Sequence, residues 1–202
     1  MPNWCMNRLS VSGQADELKN FVLSTQGLPA KYPPQEWEKN KFFKVQDPTE
    51  PQFCFNALIP TPEPVLRMGY DAYDKIPKDT LQRILAGKPV EPIDGYHWNI
   101  QNWGTKWDVY YDTITPETMG WSEGCEMISF EFDTAWSPPR AWFETVVEKF
   151  PMLSFELHYE EPGCYFAGDI FGSDGLCTYD EYDDERCAEV FEWMEEDEII
   201  IT

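Results

Sequence analysis

Positive charge is scarce in this chain: 15 Lys and Arg stand against 37 Asp and Glu, for a formal net charge of −22. A protein that grips a phosphate backbone needs clustered Lys and Arg, so the sequence predicts no direct nucleic-acid binding. The same deficit argues against docking on an anionic membrane surface. No apolar run approaches the ~20 residues that a spanning helix requires. Histidine is nearly missing: His97 and His158 are the only two. A zinc site with mixed ligands would need thiolates or carboxylates at close spacing nearby, and Cys164 and Cys177 offer no such pattern. Cys5, Cys54, Cys125, Cys164, Cys177 and Cys187 form no Cys-x-x-Cys pair. With no targeting segment read at the start, six reduced thiols and a cytoplasmic location are expected. No motif suggests a Ser-His-Asp triad. Asp180, Asp183, Asp184 and Glu185 lack the central Gly and terminal Glu of a calcium loop. The sequence therefore predicts no metal, no cofactor and no catalytic residue.

What is present is a core and an uneven charge. Aromatic residues make up 16% of the 202 residues and Trp alone contributes nine; disordered chains are poor in aromatics, so a packed domain is expected. From residue 151 onward 16 acids face a single base, Arg186, so the last quarter of the chain carries most of the excess.

Periodicity outlines the elements. Leu9 and Val11 before Gly13 read as a strand, and Leu18, Phe21 and Val22 as the stripe of a helix stopped near Gly27. The run Cys54–Ile59, bounded by Pro60, reads as a second strand. Leu81, Ile84 and Leu85 stripe a helix between Pro77 and Gly87. A helix near Tyr96–Asn102 and a strand at Lys106–Tyr110 follow. Ile128, Phe130 and Phe132 alternate as in a half-buried strand. Ser137 is an N-cap candidate with Pro138 at the first helical position, ahead of the stripe Phe143, Val146, Val147 and Phe150. Leu153, Phe155 and Leu157 alternate again, and residues 164–170 read as a returning strand. Asp183–Glu196 is a final helix with Cys187, Val190, Phe191 and Met194 on one side.

The order β-α-β, insertion, β-α-β-β predicts one α+β domain, ferredoxin-like, a split βαβ with a mainly antiparallel sheet. A Trp-rich lobe is inserted at about residues 60–126, and an acidic hairpin and helix extend it over about 159–202. Strands near Asn7–Ser12, Cys54–Ile59, Ile128–Asp133 and Ser154–Tyr159 are expected in one sheet, with Trp4, Trp136 and Trp142 mostly buried.

Longer strings carry a resemblance. Met1-Pro2-Asn3-Trp4-Cys5-Met6-Asn7, Asn102-Trp103-Gly104-Thr105-Lys106-Trp107-Asp108, and Phe132-Asp133-Thr134-Ala135-Trp136-Ser137-Pro138-Pro139 resemble the YubB-like proteins of bacterial plasmids and phages. So do Phe150-Pro151, Leu153-Ser154-Phe155 and Tyr159-Glu160-Glu161-Pro162-Gly163. The resemblance spans most of the chain, least so the final helix. It implies a ferredoxin-like domain, a mobile-element origin and the host cytoplasm, and brings no catalytic residues.

Two candidate sites remain. On the last helix, Asp184, Glu185, Glu189, Glu192, Glu195 and Glu196 would present carboxylates to a basic host protein. This predicts a non-enzymatic acidic binder, a DNA mimic in counter-defence. In the lobe, Asn102, Trp103, Gly104, Thr105, Lys106 and Trp107 offer a different chemistry. Gly104 permits an unusual backbone angle, the following amides could nest an anion, and Lys106 supplies charge while Trp103 and Trp107 stack on a base. The alternative function is therefore a nucleotide-binding or sequestering protein, which needs Lys106, Arg140 or Arg67 to converge against the surrounding acids.

Overall fold

The computed structural model describes residues 3–32, 50–71, 78–86, 94–109 and 124–198. Strand β1 (Trp4–Ser12) leads into helix α1 (Ala15–Thr25), and short strands β2 (Gln26–Gly27) and β3 (Gln52–Phe53) follow. Four short helices come next: α2 (Phe55–Leu58), α3 (Glu63–Met68), α4 (Lys78–Leu85) and α5 (Gly95–Asn102). Then come β4 (Met127–Ala135), α6 (Arg140–Lys149), β5 (Ser154–Glu161), β6 (Phe166–Ser173), β7 (Leu176–Glu181) and α7 (Asp184–Glu198).

The main sheet has the order β4-β1-β5-β6-β7 with every neighbouring pair antiparallel. Because β4 and β5 both oppose β1, they run parallel to each other with β1 between them. Helix α6 joins them, which is the split βαβ unit of a ferredoxin-like fold. Alternation decides the faces. Cys5, Leu9 and Val11 of β1, Ile128, Phe130 and Phe132 of β4, and Phe155, Leu157 and Tyr159 of β5 are buried on one side. Against them pack Leu18, Phe21 and Val22 of α1 and Trp142, Phe143, Val146 and Val147 of α6. Phe21 meets Phe130, Phe150 and Phe155 edge-on at 5.4–5.9 Å, the geometry that ring quadrupoles favour.

The run Cys54–Ile59 is not a strand of this sheet. Only Gln52–Phe53 is extended, in a separate two-stranded sheet with β2, and Phe55–Leu58 is helical. A short continuous apolar run fits a buried strand or a buried helical turn equally well. The choice here is made by the Asp108 carboxylate, which accepts from Phe55 N at 2.6 Å and Asn56 N at 3.1 Å and so caps the turn. Residues 106–109 form bends rather than a strand, and Tyr110 lies outside the described residues. Helix α6 starts at Arg140, not at Pro138, because the Ser137 hydroxyl donates to Gly104 O at 2.8 Å instead of capping. Helix α4 covers the expected segment, but the side chains of Leu81, Ile84 and Leu85 lie outside the described residues. Strand β7 escaped the sequence reading: as an edge strand it has no buried face, so no alternation marks it.

Of the three tryptophans expected in the core, Trp142 is fully buried, Trp4 is half-buried and Trp136 is 39% exposed. Trp136 also takes a left-handed backbone, φ 74°. The turn from β4 to α6 turns its indole outward instead of into the sheet.

Candidate functional site

Helix α7 lies on the face of the sheet opposite α1 and α6. The Asp183 carboxylate caps it, accepting from Arg186 N at 3.0 Å. Cys187 and Phe191 bury against Ala167 of β6, with Tyr182 and Val190 alongside. This docking follows from the apolar stripe and leaves Asp184, Glu185 and Glu189 exposed. The side chains of Glu192, Met194, Glu195 and Glu196 lie outside the described residues. Among the described residues no cation pairs with Asp184, Glu185 or Glu189.

Other elements add carboxylates around the same edge of the sheet. Asp174 ends the β6–β7 hairpin, Asp180 and Glu181 close β7, and Glu144 and Glu148 are exposed on α6. The nearby bases are already committed. Arg186 pairs with Asp180 at 2.9 Å, and Arg140 pairs with Glu181 at 2.8 Å and donates to Tyr159 Oη at 3.0 Å. Burial, and then Glu144 and Glu148, push the Cys177 thiol up. The acidic band thus runs from α6 around the β7 edge to α7.

On the face where α7 docks, a charged row crosses all five strands in register: Glu131, Arg8, His158, Asp169 and Asp180. His158 is its centre. Its Nε2 lies 2.8 Å from Glu160 Oε1 and its Nδ1 2.7 Å from Asp169 Oδ1, while Tyr182 Oη donates to Asp169 Oδ2 at 2.6 Å. The hydrogen bond to Glu160 and the Asp169 carboxylate raise the His158 pKa above its ordinary 6.5, against the opposing effect of burial. Sequence reading took His158 as an ordinary histidine. The signal was Glu160 two residues along the same strand and Asp169 directly opposite on β6; the second needs the register to be seen. A raised histidine stabilises the fold below its unfolded pKa and loses that contribution as pH rises through the folded value. Melting temperature should therefore fall from pH 6.5 upward in the native chain and stay flatter in His158→Gln. Parallel curves would remove His158 from this role.

The lobe segment Asn102–Trp107 divides into a clasp and a surface. Trp103 is buried, donating from Nε1 to Ile59 O at 3.1 Å, and Thr105 is buried, donating to Ala135 O at 3.0 Å. Asn102 Nδ2 donates to Trp98 O at 2.8 Å. The Gly104 amide closes α5 on Asn99 O and Ile100 O. Gly104 has φ +85°, and a Cβ there would sit 2.8 Å from Arg140 N, so only glycine allows the lobe to touch the start of α6. The amides of Trp103 and Gly104, which precede the expected nest, are engaged within the fold; Trp107 is exposed and Lys106 half-buried. Arg67 pairs with Glu63 at 3.0 Å and Arg140 with Glu181, so neither converges on Lys106.

The six cysteines are free. Burial pushes the Cys5 and Cys54 thiols up to about 12, which makes them inert. Among the described residues no cluster of three or more His, Cys, Asp or Glu is placed to hold a metal, and no helix is long and apolar enough to cross a membrane. A shallow depression of about 520 Å³ on the open sheet face is walled by Ser10, Ser12, Glu156, Phe171 and Leu176. No histidine, cysteine, lysine or arginine lines it.

The fold and its sheet order define an α+β protein with a ferredoxin-like domain. Residues 106–202 match a family model described as a ferredoxin-like domain in Api92-like protein. The match includes α7, which the string resemblance reached least. Among solved structures, protein api92 from Yersinia pseudotuberculosis is similar over 91% of this chain and 99% of its own, at 11% identity and a TM-score of 0.45. No curated protein matches the chain.

Proposed function

We propose that this protein is a non-enzymatic acidic binder whose target is a basic protein, in the manner of a DNA mimic made by a mobile element against a DNA-binding or defence protein of its host. One observation supports it above the rest: Asp184, Glu185 and Glu189 stand exposed without a cationic partner among the described residues, on a helix docked through Cys187 and Phe191. Like charges three or four apart on a helix cost a few tenths of a kcal/mol per pair, a burden that charge complementarity to a partner would explain. The proposed place of action is the host cytoplasm.

The test is capture from bacterial lysate at low salt by the immobilised chain, with Asp184→Asn, Glu185→Gln and Glu189→Gln combined as the matched variant. A retained basic protein should associate about tenfold more slowly with the variant, and with a flatter salt dependence. Duplex DNA should compete for it. Equal association by variant and native chain would leave the carboxylates a solubilising role only.

A further inference from the structure

We infer that the aromatic rim at the α7 end of the sheet, built from Trp4, Trp107, Trp136 and Tyr165, is the anchoring surface for a basic protein partner, with cationic side chains of the partner seated on its rings. The inference rests on the proposed acidic-binder function and locates its anchor.

Direct contacts join the rim into one surface. Trp107 and Trp4 have ring centroids 6.1 Å apart. Trp136 N donates to Asn3 O at 3.0 Å, and Asn3 Nδ2 reaches Cys164 Sγ at 3.5 Å. Tyr165 follows Cys164 and packs at 5.1 Å on Phe191 of α7. The rim is therefore continuous with the acidic helix.

Two features single it out. Trp136 and Tyr165 both take left-handed backbone angles, φ 74° and 58°, which bulky residues adopt at a cost. Both stay largely in the open, 39% and 48% exposed, so core packing explains neither. Glycine or asparagine would fit these turns without strain. The rim also already holds a cation: Lys106 Nζ lies 5.2 Å from the Trp136 ring and 5.6 Å from the Tyr96 ring, and no carboxylate pairs with it among the described residues. Trp107 and Tyr165, 39% and 48% exposed, offer aromatic surface to a partner's Arg or Lys. Exposed Trp and Tyr beside a charged flank is the composition of an interface hot spot. A phosphate ligand fits less well, because Lys106 is the single cation there among the described residues, while Arg67 and Arg140 are paired elsewhere.

The experiment follows the nine Trp indole signals and the α7 amides by nitrogen-15 NMR while a hexa-arginine peptide is added at low salt. The indoles of Trp107 and Trp136 should shift together with α7, and Trp107→Ala should weaken binding about tenfold. Tyr165→Asn, which keeps a residue tolerant of that backbone, should weaken binding at unchanged melting temperature. Shifts confined to α7 would overturn the rim inference and leave the acidic reading standing. No shift anywhere would sink both. Indole shifts with adenosine monophosphate, and none with hexa-arginine, would make the rim a ligand site instead.

Discussion

Trp142→Ala should cost about 3–5 kcal/mol of unfolding free energy, measured by urea denaturation. Trp142 is fully buried where α6 crosses the sheet, with Phe55 at 4.9 Å and Phe53 at 5.5 Å from its ring. Phe53 in turn stacks on Phe130 at 4.6 Å and meets Phe132 at 5.2 Å. Alanine would leave a cavity where β3, α2, β4 and α6 meet, and all four would lose contacts at once. Trp142→Phe supplies the control. The indole Nε1 is buried without an acceptor among the described residues, and phenylalanine removes that orphan donor along with some volume. The two effects oppose, so the cost should stay within about 1.5 kcal/mol. A large loss for Phe would show that the indole N–H is satisfied in solution.

Asp108→Ala should cost about 2–4 kcal/mol, because three backbone N–H groups, those of Phe55, Asn56 and Val109, lose their acceptor. The cost should depend on pH. Burial raises the Asp108 carboxyl to about 6 from 3.8, more than the three N–H bonds lower it. A raised carboxyl favours the folded state below its unfolded pKa, and that contribution is lost as pH rises from about 4 through 6. The difference between native chain and variant should thus be greatest at pH 4 and shrink by pH 7. A difference that grows across that window would mean the hydrogen bonds outweigh burial and the pKa is depressed.

The legible parts of this protein were those whose cause is local. Alternation in Ile128–Phe132 and Phe155–Leu157 marked two strands, and the stripes of α1, α6 and α7 marked their buried sides, because period follows directly from backbone geometry. The charge asymmetry was likewise a matter of counting. The sequence also singled out Asn102–Trp107, but not which of its residues face inward. Trp103 and Trp107 are the same residue type in one loop, yet one is core and the other surface.

By itself, then, the sequence determined the α+β class, the strand-helix-strand order of β4, α6 and β5, and the acidic last helix. Tertiary structure decided whatever depends on a distant group. Asp108 turns Cys54–Ile59 from a strand into a capped helical turn, across an |i−j| of 52–53 residues. The register of β1, β5 and β6 sets His158 between Arg8 and Asp169. Contacts through Asn3 and Trp4 bring Trp107, Trp136 and Tyr165 to one rim. The physical reason is the same in each case: hydrogen bonds, ion pairs and ring contacts act over a few ångströms, and only the folded chain brings such distant residues that close.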